Sequence, residues 1–284
     1  MQDVLPKPRE ITGHTRMLAI LADPIHHVKT PQRINELMRQ HGIDAVMVPV
    51  HVAAQHLGEV LGALRHVPSF DGCVVTVPHK TAALALCDEL TEEAREIGAV
   101  NVVHRTATGR LHGGMLDGIG FVEGLRSAGI EPAGRAVYLA GAGGAGSAIA
   151  FALAAAGAKT LTIANRSTGR AAQLVDRIAL YHPGVQLRVG GADPSGHDIV
   201  VNATSLGLRP GDALPLDAAR LQPQQVVAEI IMDPPETGLM AAARARGCRV
   251  HPGAPMLACQ ARHMAAFMLG RVLPAQAAGE GAGT

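Results

Sequence analysis

At 284 residues, 48% of them hydrophobic and 17% charged, the chain suits one large domain or two modest ones around an ordinary core. Lys+Arg 25 against Asp+Glu 24 leaves a net charge of +1, no polyelectrolyte signal for nucleic acid or acidic membranes, and 2% aromatics without Trp argue against stacking platforms for bases or sugars. No apolar run reaches about 18 residues, MQDVLPKPREITGH lacks an apolar signal core, and Cys73, Cys87, Cys248 and Cys259 without CxxC spacing read as reduced thiols of a cytoplasmic protein.

In chain order, MLAILA (17–22), AVMVPVHV (45–52), GCVVTV (72–77) and VNVVH (100–104) predict strands, with helices over 31–41, 54–65 and 80–97 between them. The stretch 105–116 is Gly/His-rich, and a domain boundary is expected near 115–120. A second set of strands follows at AVYLA (136–140), TLTIA (160–164), DIVVNA (198–203) and VVAEII (226–231), with helices over 144–157, 167–181 and 237–246. Such alternation predicts parallel sheets covered by helices, and the nearly continuous apolar runs suit strands buried on both faces. A last helix, about 254–270, comes after the second sheet is complete and can pack back on the first domain. The tail PAQAAGEGAGT (274–284) is of low complexity and expected to fray.

The strand AVYLA runs into Gly141-Ala-Gly143-Gly144-Ala-Gly146 and then a helical SAIAFALAAAGA. This is GxGxxG between a strand and a helix, the context a dinucleotide site requires. The first glycine permits the tight turn and the second lets backbone approach a pyrophosphate. The third allows close helix–strand packing, and the helix N-terminus offers N–H groups to the phosphates. After the next strand, an NAD site usually carries an acid for the ribose 2′-OH. Here Asn165-Arg166-Ser167-Thr168-Gly169-Arg170 follows, with no acid until Asp176. Two guanidiniums suit a 2′-phosphate, so NADP is the expected cofactor.

Six blocks in order resemble the shikimate dehydrogenase family, over about residues 17 to 271. They are Asp23-Pro-Ile-His-His-Val28-Lys29-Thr30-Pro31, Val75-Thr76-Val-Pro-His79-Lys80, Gly98-Ala-Val-Asn101, Met115-Leu116-Asp117-Gly-Ile-Gly-Phe121, Asn202-Ala-Thr204-Ser-Leu-Gly207 and Gly253-Ala-Pro-Met256-Leu257-Ala-Cys-Gln260. The resemblance implies an α/β chain of two domains. Residues 1–116 form a substrate domain, with 254–284 packing back on it, and 117–253 form a Rossmann dinucleotide-binding domain.

It also implies that Lys80 and Asp117 are the catalytic pair. Reducing a ketone with a hydride builds negative charge on oxygen, which an ammonium can stabilise and protonate. Thr76, Asn101 and Gln260 are implied to hydrogen-bond substrate hydroxyls, while Thr204 and Gly253 join the glycine loop, Asn165, Arg166 and Arg170 on the cofactor. Asp117 also reads as a helix N-cap before GIGFVEGL. The chain departs from the family where hydroxyls bind the substrate carboxylate: Val28 stands for a serine, Thr30 for another, and Met232 for a tyrosine. Met115 and Leu116 replace an Asn and a Thr ahead of Asp117.

The expected function is therefore NADP-dependent interconversion of a ring hydroxyl and ketone of a shikimate- or quinate-like cyclic polyol acid. The alternatives are a paralogue with a different ring alcohol, or an NADP-binding sensor without turnover. The partner implied is a small-molecule substrate, with the protein a monomer or homodimer. The histidines show no HExxH or Cys/His cluster, so no metal site is expected. His26, His27 and His79 read as loop histidines near the cleft. Met256 and Leu257 read either as core or as packing for a nicotinamide.

Overall fold

The computed structural model describes residues 10–26 and 28–273; the N-terminal reading, His27 and the tail 274–284 lie outside the described residues. In chain order the elements are β1 (Arg16–Ala22), α1 (Thr30–Gln40), β2 (Ala45–His51), α2 (Leu57–Leu64), β3 (Phe70–Val75), α3 (Lys80–Leu84), β4 (Glu89–Leu90), α4 (Glu92–Ile97), β5 (Val102–Arg105), β6 (Leu111–Gly114) and α5 (Asp117–Ser127). There follow β7 (Ala136–Ala140), α6 (Gly144–Ala155), β8 (Thr160–Ala164), α7 (Thr168–Tyr181), β9 (Gln186–Gly190), β10 (Ile199–Asn202), β11 (Val226–Glu229), α8 (Gly238–Ala245), β12 (Arg249–His251) and α9 (Ala254–Met268). They build two six-stranded sheets, ordered β2-β1-β3-β5-β6-β4 and β12-β11-β10-β7-β8-β9.

The first sheet corrects the expectation of purely parallel pairing. β1 pairs β2 and β3 in parallel, but β5 runs antiparallel to both β3 and β6. The reason is loop length. β5 and β6 are joined by Thr106–Arg110, closed by Thr106 N–H to Arg110 O at 2.9 Å and turned at Gly109 with φ +82°. A connection that short makes a hairpin, since a parallel crossover needs a dozen residues or more. The expected helix over 80–97 is likewise divided. Asp88 N–H donates to Leu111 O and Thr91 N–H to Gly113 O, which draws 89–90 into the sheet beside β6. Thr91 then caps α4 through Ala94 N–H, and Gly98 ends it in the left-handed region at φ +72°.

The second sheet is parallel throughout, with β7 central, β8 and β9 on one side and β10, β11 and β12 on the other. The strand order reverses between β7 and β10, where a doubly wound sheet opens its crevice. The edge strands β9 and β12 went unseen in the sequence because QLRVG and RVH lack a continuous apolar run, being half-exposed.

Helix α5 joins the halves by close approach. A Cβ on Gly118 would lie 2.4 Å from Ala148 O of α6, and one on Gly120 2.6 Å from Gln260 Cβ of α9. Helix α9 returns to the first sheet, where Ala261, Met264, Ala265 and Met268 share a core with Leu18, Ile20, Ile34 and Val74. No helix among the described residues is long and apolar enough to cross a membrane.

Candidate active site

Topology brings three loops of the first sheet to one edge. β3 ends there, β5, being antiparallel, starts there, and β6 ends there, with Val74 opposite Val102 and Val102 opposite Gly114. Lys80, Asn101 and Asp117 follow or precede those strand ends by a few residues. Lys80 Nζ forms an ion pair with Asp117 Oδ2, both largely buried. Asp117 Oδ1 accepts from Asn101 Nδ2 at 2.7 Å and from Gln260 Nε2 at 2.6 Å. Burial pushes the Asp117 carboxyl up, but the Lys80 ammonium and the three hydrogen bonds outweigh it and hold the group below its ordinary range.

Asn101 and Gln260 thus meet Asp117 itself. Asn101 is fully buried, and its Oδ1 accepts from Leu116 N–H at 2.8 Å, so both ends of its amide serve the protein. In this geometry the two amides orient the carboxylate, a task the resemblance did not assign them. Thr76 sits at the end of β3, where its N–H donates to Leu21 O and its carbonyl accepts from His79 N–H. His79 is buried, with Nε2 2.8 Å from Val52 O; it ties α3 to the chain after β2 and does not open to the cleft. His26 is exposed. Met256 is buried in the core beside α5.

The second sheet supplies the facing wall. Gly141 has φ +114°, and a Cβ there would lie 2.6 Å from Ala203 O; one on Gly146 would lie 2.4 Å from Gly141 O. Both positions are closed to any side chain, while Gly143 has nothing within 4 Å of its Cβ position. The loop is therefore drawn tight between β7 and β10 with bare backbone at its crest. Asn165 Oδ1 accepts from Ala142 N–H at 3.2 Å and Asn165 Nδ2 donates to Ser167 O at 3.0 Å, tying the two loops together. Arg166 and Arg170 line the same groove, about 830 Å³, with Gly141, Gly143 and Thr204. A glycine cradle, a helix N-terminus and two guanidiniums fit a phosphorylated dinucleotide. The Gly144 Cβ position lies only 3.4 Å from Lys80 Cβ, so the two walls meet beside the ion pair.

Beneath Thr204 lies a group that the motifs passed over. Glu229, 1% exposed, ends β11. Its Oε1 accepts from Ile230 and Ile231 N–H at 2.8 and 3.0 Å, and its Oε2 from Asn202 Nδ2 at 2.9 Å and Thr237 Oγ1 at 3.0 Å. Asn202 Oδ1 in turn accepts from the Thr204 hydroxyl at 2.7 Å. Burial pushes the Glu229 carboxyl up, against the pull of these donors. A lone acid in the apolar run VVAEII was the signal. Gly253 is held against the same loop, its Cβ position 2.5 Å from Ile231 O. Glu229→Gln turns an amide NH₂ on two of the four donors and is expected to cost roughly 1–3 kcal/mol for each donor left unpaired. Urea unfolding of the variant measures it.

The remaining candidates stand where two loops meet. Lys29, next to Val28 and Thr30, pairs with Asp233, next to Met232, at 3.3 Å. Thr30 is buried at the start of α1, Val28 half-buried, and Met232 37% exposed. Among the described residues no group of three or more His, Cys, Asp or Glu side chains is placed to hold a metal.

A doubly wound nucleotide-type sheet facing an α/β domain that holds a buried Lys–Asp pair defines a two-domain protein of the nicotinamide oxidoreductase class. Residues 20–103 match the shikimate dehydrogenase substrate binding domain, and 126–206 match the shikimate/quinate 5-dehydrogenase domain. The shikimate dehydrogenase (NADP(+)) of Acidiphilium cryptum is 41% identical over 251 residues, covering 88% of this chain and 89% of that protein. The shikimate 5-dehydrogenase of Thermus thermophilus, solved with NADP(H) and shikimate, superposes with a TM-score of 0.82 at 32% identity, covering 91% of this chain and 95% of that one. A 5-ketofructose reductase of Gluconobacter sp. does so with 0.81 at 33%, covering 93% and 96%. The chain belongs to the shikimate dehydrogenase family of oxidoreductases, and its relatives at 41% identity include NADP(+)-dependent shikimate dehydrogenases.

Proposed function

We propose that the chain interconverts a ring hydroxyl and a ketone of a shikimate- or quinate-like cyclic polyol, using NADP(H). The observation that carries this is the Lys80–Asp117 pair, buried at one wall of a cleft whose other wall is the glycine loop. NADP(H), when bound, would supply or accept the hydride. Gly141 to Gly146 would hold its phosphates, and Arg166 and Arg170, which line the same groove, would take its 2′-phosphate. Lys80 Nζ stabilises the oxyanion and donates the proton during reduction, and takes it back during oxidation. Asp117 keeps the ammonium in place, with Asn101 and Gln260 fixing the carboxylate. Thr76 is the polar group offered to substrate hydroxyls from the end of β3. The Gluconobacter 5-ketofructose reductase supports a pocket of this fold accepting a polyol without a carboxylate. Four free thiols suit a cytoplasmic setting.

The test is a panel of ring alcohols and ketones followed by nicotinamide absorbance with NADP(H) and NAD(H). Turnover linked to NADP(H) is expected. Tight NADPH binding with no turnover on any ring alcohol overturns the reading in favour of a nucleotide sensor.

A further inference from the structure

The loop after β1 and the loop after β11 leave the edges of the two sheets that face the cleft, and they meet at the Lys29–Asp233 ion pair. The side chains around that junction are unusual for a site that takes an anion. Val28 and Leu116 both pack on the apolar cluster of Leu18, Ile20, Val74 and Val102, so the wall beside Asp117 is hydrocarbon. Met232, 37% exposed, stands on the opposite loop next to Asp233. Of the three positions where the family resemblance implies a hydroxyl for a carboxylate, Thr30 alone keeps one.

Among these described residues, charge does not make up the loss. Lys29 is matched by Asp233, Lys80 by Asp117, and Asp23 lies 2.8 Å from His51. Recruiting Lys29 to an incoming carboxylate brings that carboxylate up against Asp233. A carboxylate taken from water needs donors or net positive charge, and these groups offer one hydroxyl and a balanced pair.

We infer that the substrate group received between Val28, Leu116 and Met232 is uncharged. The substrate is a neutral polyhydroxylated alcohol or ketone, not a ring carboxylate. This rests on the hydride-transfer reading above and narrows its substrate class.

The experiment compares kcat/KM for shikimate, quinate and the methyl ester of each with NADP+, and measures 5-ketofructose reduction with NADPH. The esters keep the ring and lose only the charge. In a pocket built for carboxylate, each charge-assisted hydrogen bond favours the acid by roughly tenfold or more. Here the esters are expected to exceed their acids by about tenfold, or 5-ketofructose to be turned over while both acids are not. The double variant Val28→Ser with Met232→Tyr is expected to shift the acid-to-ester ratio for shikimate by about a hundredfold toward the acid. Wild-type preference for the acids overturns the inference and leaves the hydride-transfer reading standing. Absence of turnover with all five compounds overturns both.

Discussion

Lys80→Ala is expected to lower kcat by roughly 10²–10⁴, the usual contribution of a positioned acid or base. KM should move less, because the ammonium acts mainly on charge that develops in the transition state. Asp117→Asn probes the other half of the pair. Its oxygen can satisfy the two amides of Asn101 and Gln260, which turns its new NH₂ toward Lys80 Nζ, donor against donor. The ammonium loses its anchor, and kcat should fall although the side chain keeps its size. The same variant changes acid stability. The Asp117 carboxyl is held below its ordinary value in the folded chain, so the unfolded chain takes up the proton first as pH falls. Its contribution to stability is complete above the unfolded value and is lost as pH drops through the folded one. The acid-unfolding curve of Asp117→Asn should lack that component. Steady-state kinetics, with NADPH titration as the control for folding, check the catalytic part. Both variants within a factor of two of wild type would remove the pair from the mechanism.

Replacing Arg166 and Arg170 together by Ala should weaken NADP(H) by about 1–3 kcal/mol, the scale of losing charge-assisted hydrogen bonds. NAD(H), which lacks the 2′-phosphate, should bind almost as before. The geometry sharpens the expectation, because both arginines line the groove that also holds Gly141, Gly143 and Thr204. Neither is tied into the pairing between Asn165 and the glycine loop, which persists in the variant. Fluorescence titration with both reduced nucleotides separates the outcomes. Equal losses for NADPH and NADH would show that these side chains do not read the phosphate.

The sequence by itself determined most of what is local. Nearly continuous apolar runs located β1, β7, β8, β10 and β11 because strands buried on both faces are mostly hydrocarbon. The glycine fingerprint was legible because only a residue without Cβ fits at Gly141 and Gly146, and steric exclusion leaves a mark at fixed positions. Lys80 and Asp117 were legible through the blocks that carry them. Tertiary structure alone decided the pairing direction of β5 and β6, since the brevity of their connection matters only once both are known to be strands. It decided that Asn101 and Gln260, 159 positions apart, close on one carboxylate, because α9 returns to the first sheet to bury Met264 and Met268. It also decided that Glu229 is an anchor and that Lys29 faces Asp233. Glu229 meets Asn202 because β10 and β11 pair side by side, and Lys29 meets Asp233 because the loops of the two sheets come together; no periodicity along the chain records either meeting.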